Sequence, residues 1–293
     1  MVKGNCNTMK KILVFLFFLT AVSTSACHCL SFKEAQKQSR TTNKFIFVHF
    51  INDTQIEWDM SVFRGYQSLE SRIGVVENFI YVCVTKESND MLYAKYHIIN
   101  SPAFLIVDSN GLELFRDSNF KNPEEFIAAL QNYSYPDTFL CNSLNSFHKN
   151  TCYNAASRLA QNYFDYSITL DKNFRSYAGK AAKFYLNEAQ KLLPKNDPML
   201  AEKNQKIALL KLYYWVYQNN YALLDEKLED FLVSSIYEDN KSTFYFLKYI
   251  AAKALKKDDF GQIETQANQL EGFDYFVKKA ALILEEEKLV QSN

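Results

Sequence analysis

The sequence predicts an α/β domain, with a central mixed sheet flanked by helices, followed by an all-α domain of helical hairpins or repeats. Three observations carry this. Strand-like and helix-like segments alternate from Ser31 to about Leu130. From about Asn150 onward there is helical periodicity and no convincing strand. Glycine is scarce, at 7 residues where average usage of about 7% would give roughly 20. An all-β fold needs many glycine turns and a dinucleotide-binding domain needs a glycine-rich phosphate loop, so both are disfavoured.

The elements follow in chain order. Ser31-Phe-Lys-Glu34 fits a capping box and opens a helix to about Gln38. Phe45 to Phe50 is an apolar run interrupted by His49, as in a strand covered on both faces. Trp58 to Val75 has helical spacing through Val62, Phe63, Tyr66, Leu69 and Ile73. Phe79 to Val84 is a second buried strand, with Cys83 as a core thiol. Met91 to Tyr96 is a short helix and Ala103 to Val107 a third strand. Asp108-Ser-Asn-Gly111 is a turn, and Leu112 to Phe115 a fourth strand. Asn122-Pro123-Glu124 starts a helix that ends near Leu130. This alternation predicts a mainly parallel sheet with a terminal hairpin.

In the second half, Ala156, Leu159, Ala160, Tyr163 and Phe164 share one helical face. So do Phe174, Tyr177, Ala181, Phe184 and Tyr185, and then Ile207, Leu210, Tyr213 and Tyr214. Short polar connections at 194–197, 218–220, 238–242 and 256–259 imply antiparallel helix pairs. Two of them, Asn219-Asn-Tyr221 and Asp258-Asp-Phe260, resemble each other at a spacing of 39 residues. That is weakly similar to tetratricopeptide-like repeats, and an irregular bundle fits as well. Pro136 marks the boundary, near Asn132 to Asp137, with Phe139 and Leu140 placed to dock on the first half.

The N-terminus reads as an export signal over residues 1–26: Lys10 and Lys11, an apolar run from Ile12 to Val22, then small residues. The expected domains are then 27–135 and 136–293. Thr24-Ser25-Ala26-Cys27 resembles a bacterial lipobox without its usual leucine, which makes Cys27 a lipidation candidate. The expected location is periplasmic, cell-surface or outer-membrane-tethered in a bacterium. Cys6 falls within the signal, and five cysteines remain. Cys141 and Cys152 either close the polar stretch between them as a disulfide or stay free. Cys27-His28-Cys29 lacks a second ligand pair, so no metal site is expected. The 33 basic and 33 acidic residues cancel, so no net field recruits nucleic acid or an anionic membrane. Membrane contact is expected only through the signal or a lipid at Cys27.

Residues 31–131, about a third of the chain, resemble the thioredoxin family in a series of strings. Phe45 to Phe50 looks like the strand leading into the thioredoxin active site. Asn78-Phe-Ile80 and the strand after it resemble "F-x-x-V-K-V-D". Leu92-Tyr-Ala-Lys-Tyr96 resembles the "L-A-x-K-Y" helix, and Ser101-Pro102-Ala-Phe-Leu105 the cis-proline loop and its strand. Asp108-Ser-Asn-Gly111 resembles the "D-x-x-G" turn. The resemblance implies a thioredoxin-like fold with a cis bond at Ser101–Pro102. It also shows what is missing. The Trp-Cys-x-x-Cys motif falls on Ile51-Asn52-Asp53-Thr54-Gln55, so Asn52 and Gln55 replace the two cysteines. Dithiol exchange needs a low-pKa thiolate and a resolving thiol, and an amide supplies neither. The glycine usual after the "K-Y" helix is replaced by His97.

The remaining candidates read as structural. His49 fits a half-buried strand residue, His97 a polar loop residue, and Glu285-Glu-Glu-Lys288 a solvated face. Asp53 and Glu57 fit a helix N-terminus. No cofactor is expected. The favoured expectation is a non-catalytic module that binds a protein or peptide in the cell envelope. Its groove would be bounded by Ser101 and Pro102 and lined by Asn52, Asp53, Thr54 and Gln55. The alternatives are a purely structural envelope component, and a thiol oxidoreductase using Cys141 and Cys152, or Cys27 and Cys29.

Overall fold

The computed structural model describes residues 30–51, 77–117 and 123–291. The predicted export signal, Cys27, Cys29 and the helix expected over Trp58 to Val75 lie outside them.

Helix α1 (Phe32–Thr42) opens with the expected capping box: Ser31 Oγ accepts from Glu34 N, and Glu34 Oε2 accepts from Ser31 N. It runs past Gln38 and stops at Asn43, in the left-handed region at φ 55°. Strands β1 (Ile46–Ile51), β2 (Ile80–Thr85), β3 (Ala103–Val107) and β4 (Glu113–Asp117) form one sheet in the order β2-β1-β3-β4. Helix α2 (Asp90–Lys95) lies between β2 and β3, and α3 (Pro123–Tyr133) follows β4.

The sheet is mixed, as expected, and β3–β4 is the expected hairpin, but most of its pairing is antiparallel rather than parallel. Only β1 and β2 pair in parallel, while β1–β3 and β3–β4 are antiparallel. The reason lies in α2. Its six residues rise about 9 Å, less than half the run of a six-residue strand. The chain therefore turns back at the end where β2 finishes and re-enters beside β1 in the opposite direction.

Alternation along the strands gives the sheet two apolar faces. Ile46, Val48, Phe50, Val82 and Leu105 pack with Ala35 of α1 and Leu92, Tyr93 and Tyr96 around α2. The other face presents Phe45, Phe47, Phe104, Ile106 and Phe115 to Phe126, Leu130 and Tyr133 of α3. This second layer continues without a break into the helical half. The Phe45 ring meets both Tyr133 and Tyr166, and Phe115 meets Phe174. Cys83 is half-buried, not a core thiol, because it alternates onto this face at the rim of the sheet.

From Pro123 onward the described residues are helical apart from their connections: α4 (Thr138–Lys149), α5 (Tyr153–Thr169), α6 (Lys172–Leu192), α7 (Leu200–Tyr217), α8 (Tyr221–Leu228), α9 (Glu238–Leu255), α10 (Phe260–Ala267) and α11 (Phe273–Gln291). Asp137 caps α4 by accepting from Leu140 N at 2.7 Å. Leu140 docks into the core, but Phe139 is 78% exposed. The connection expected at 238–242 is instead the first turn of α9, and the real one is 229–237, with a 3-10 turn at Val233–Ser235. Two helix pairs match in form. α7 and α9 have 18 residues each, and α8 and α10 have 8 each, starting at Tyr221 and Phe260.

Candidate binding site at the proline end of the sheet

The sequence-predicted groove centres on the point where β1 ends and β3 begins. Phe50 pairs with Ala103, so the antiparallel register brings Ile51 opposite Pro102. The Ser101–Pro102 bond is cis. Ser101 is half-buried and Pro102 exposed. Asn52, Asp53, Thr54 and Gln55 lie outside the described residues.

Two features fix this end of the sheet. Tyr93 Oη donates to Ile51 O at 2.8 Å from the buried face, tying the last residue of β1 to α2. His97 follows α2 at φ 51°, a left-handed conformation that suits glycine better than histidine. Its ring is exposed. The segment that leads to the proline carries Ile99, 91% exposed, and α2 carries Met91, 83% exposed.

On the opposite face, His49 of β1 stacks on Phe104 with ring centres 4.5 Å apart, and its Nδ1 lies 3.1 Å from Tyr81 Oη. Burial pushes the imidazole pKa down to about 4, so the ring is neutral at pH 7. His49 is thus the structural residue the sequence suggests.

The cysteine pair is not a disulfide: Cys141 and Cys152 are both free thiols. Cys141 points from α4 toward the end of α1, with Sγ 3.8 Å from Asn43 O. Cys152 sits at the N-cap of α5. The polar stretch between them needs no covalent closure, because it is α4 itself for most of its length. Burial and, secondarily, Asp137 push the Cys141 thiol up to about 12. It carries almost no thiolate at neutral pH and is a poor nucleophile. The cavity beside it, lined by Arg40, Ser109 and Asn145, has a volume of about 10 Å³, enough for one water. Among the described residues no group of three or more His, Cys, Asp or Glu is placed to hold a metal ion.

Comparison with protein-family models and with curated proteins finds no match to this chain.

Two polar centres escaped the sequence reading. Asp108, fully buried in the β3–β4 turn, accepts from Asn110 N, Leu112 N, Tyr163 Oη and Tyr185 Oη. Burial pushes its carboxyl above the usual range, and the four donors pull it back. Within the turn, Gly111 adopts φ 81°, and a Cβ there would meet Lys95 Nζ at 2.7 Å. The second centre is Lys279 of α11, 5% exposed, ion-paired with Asp165 of α5 and lying over the Tyr213 and Phe246 rings. Turn chemistry flags Asp108 as polar, but nothing local in the sequence reports the two tyrosines 55 and 77 residues away.

Proposed function

We propose that this chain is an exported, redox-inactive thioredoxin-fold protein that binds extended protein or peptide segments in the cell envelope. The reading rests on one juxtaposition: the end of β1, where the thioredoxin motif would begin, lies beside Ser101–Pro102 at the head of β3. There the sequence has Asn52 and Gln55 in place of two cysteines. The exposed Ile99 and Met91 supply apolar contact next to a strand end. The high pKa of the Cys141 thiol speaks against the oxidoreductase alternative through Cys141 and Cys152.

Two measurements test this. The full chain should not accelerate the reduction of insulin by dithiothreitol, and acceleration would favour the oxidoreductase. Carboxymethylated α-lactalbumin, an unfolded protein with blocked thiols, should bind the chain. Ile99→Asp should weaken that binding at least fivefold without changing the circular dichroism. Failure of the wild-type chain to bind, or equal binding by the variant, removes the groove from the proposal.

A further inference from the structure

The formal charge of zero conceals a strong separation of charge in the helical half. α6 and α7 together carry eight basic residues and two glutamates. The stretch from Tyr221 to Asp239, by contrast, holds Asp225, Glu226, Glu229, Asp230, Glu238 and Asp239 against Lys227 alone.

The outward side of the α6–α7 pair gathers several of those cations. Lys180, Lys183 and Lys191 are exposed on α6, and Lys211 on α7. Lys183 Nζ lies 5.9 Å from the centre of the Tyr214 ring, and Lys211 Nζ donates to Gln190 Oε1 at 3.0 Å, so the two stripes are contiguous. Aromatic rings surface among them: Phe184 is 44% exposed and Tyr214 40%. Glu188 is the nearest carboxylate on α6 and is already paired with Lys191 at 2.7 Å. Glu113 and Glu125 act at the Tyr177 end, where Arg116 pairs with Glu113.

We infer that this face docks on an anionic phospholipid bilayer. The two helices run about 30 Å and 27 Å side by side. That makes a broad face, suited to a plane of negative headgroups. Each lysine near such a surface strengthens binding about fivefold, with the effect confined to roughly a Debye length. Exposed Phe and Tyr among lysines match the interfacial layer, where an apolar ring and a polar edge are both satisfied. Net charge does not set this interaction, because the acidic stretch from Tyr221 to Asp239 is carried on separate elements.

The test uses the full chain carrying Cys27→Ser, so that no lipid anchor contributes. The leader is common to every variant and cancels in the comparison. Co-sedimentation is measured with vesicles of phosphatidylcholine alone and with 40% phosphatidylglycerol, at about 50 and 500 mM salt. Phosphatidylglycerol should raise binding at least tenfold over the phosphatidylcholine background, and high salt should weaken that increment. Lys180→Glu/Lys183→Glu should lower it at least tenfold, and so should Lys191→Glu/Lys211→Glu. Lys33→Glu/Lys37→Glu on α1 changes the net charge equally and should leave binding within twofold. An equal loss in the α1 variant, no increase in binding when phosphatidylglycerol is added, or binding only to a soluble polyanion such as heparin would overturn the inference.

Discussion

Asp108 Oδ2 accepts a hydrogen bond from Tyr185 Oη at 2.6 Å, joining the turn of the last hairpin to the middle of α6. The same oxygen accepts from Tyr163 Oη of α5 at 2.8 Å, and the two tyrosine rings stack at 5.5 Å. The carboxylate is therefore a three-way joint between the sheet and two helices. Asn110 Nδ2 adds a further bond to Tyr185 Oη at 3.3 Å.

This joint predicts unequal costs for its members. Asp108→Ala leaves two buried hydroxyls and two backbone N–H groups without their acceptor. The expected loss is about 3–5 kcal/mol of unfolding free energy. Tyr185→Phe removes one donor and leaves the others in place, at about 1–2 kcal/mol. Urea unfolding by circular dichroism measures both. A loss below about 1 kcal/mol for Asp108→Ala would mean that the joint carries no weight.

The conformation of His97 predicts a gain. A non-glycine residue at φ 51° gives up about 1 kcal/mol that glycine would not, offset partly by the extra freedom glycine has when unfolded. The exposed His97 ring offers little packing to lose. His97→Gly is expected to stabilise the chain by about 0.5–1 kcal/mol, read as a rise in urea midpoint. A fall in the midpoint would show that the histidine ring makes contacts of its own.

His49 predicts a pH dependence with a definite sign. Its folded pKa of about 4 lies below the ordinary 6.5, so the folded state favours the neutral ring. Its contribution is fully present above about pH 6.5 and is lost as pH falls from there toward 4. The ring keeps some contact with solvent, which lowers the thermodynamic ceiling to about 1–2 kcal/mol. Carboxylates also titrate in this range, so the measurement is a difference. His49→Phe should unfold less steeply than wild type between pH 6.5 and 4. Parallel pH curves would rule out the histidine as the sensor.

The order and type of the elements were legible because apolar periodicity reports burial directly. β1, β3 and the capping box of α1 fell within a residue or so of their predicted starts. The direction of β3 against β1 was not legible. Alternation of strand and helix signals crossovers only when the helix is long enough to return the chain, and α2 is too short. Continuity of the core across Pro136 was hidden for a related reason. Phe45 and Tyr166 meet through space, and no local pattern announces that contact. The fate of Cys141 depended on which way α4 faced, which its neighbours in sequence do not state.

The buried pair of Lys279 and Asp165 predicts an asymmetry. The lysine is almost fully enclosed, while the Asp165 side chain keeps 27% of its exposure. Burial pushes the Lys279 pKa down, and Asp165 opposes that shift. Asp165→Ala strands an ammonium among rings and should cost about 3–5 kcal/mol. Lys279→Met keeps the volume and leaves a carboxylate that reaches water, at about 1 kcal/mol or less. Thermal unfolding of the two variants orders them. A larger loss for Lys279→Met would mean that the rings depend on the cation above them.

The last prediction tests the proposed ancestry of the groove. The proposed resemblance to thioredoxins places the two cysteine positions of that family at Asn52 and Gln55, three residues apart. Two thiols at that spacing on the first turn of a helix can form a disulfide, and the helix N-terminus lowers the pKa of the first. The background must contribute no thiolate: Cys141, with its thiol pushed up to about 12, meets that condition, and Cys6, Cys27, Cys29, Cys83 and Cys152 are changed to serine in parent and variant alike. Asn52→Cys/Gln55→Cys is therefore expected to form an internal disulfide and to reduce insulin with dithiothreitol, where the parent chain does not. Thiol counting before and after mild oxidation reads the first step, and insulin turbidity reads the second. A folded double variant that keeps both thiols free under oxidation would show that residues 52 and 55 do not occupy the thioredoxin positions. A disulfide that forms without insulin reduction would instead locate the deficit in the surroundings of Pro102, since the exchange chemistry would then be present and only substrate placement would be lacking.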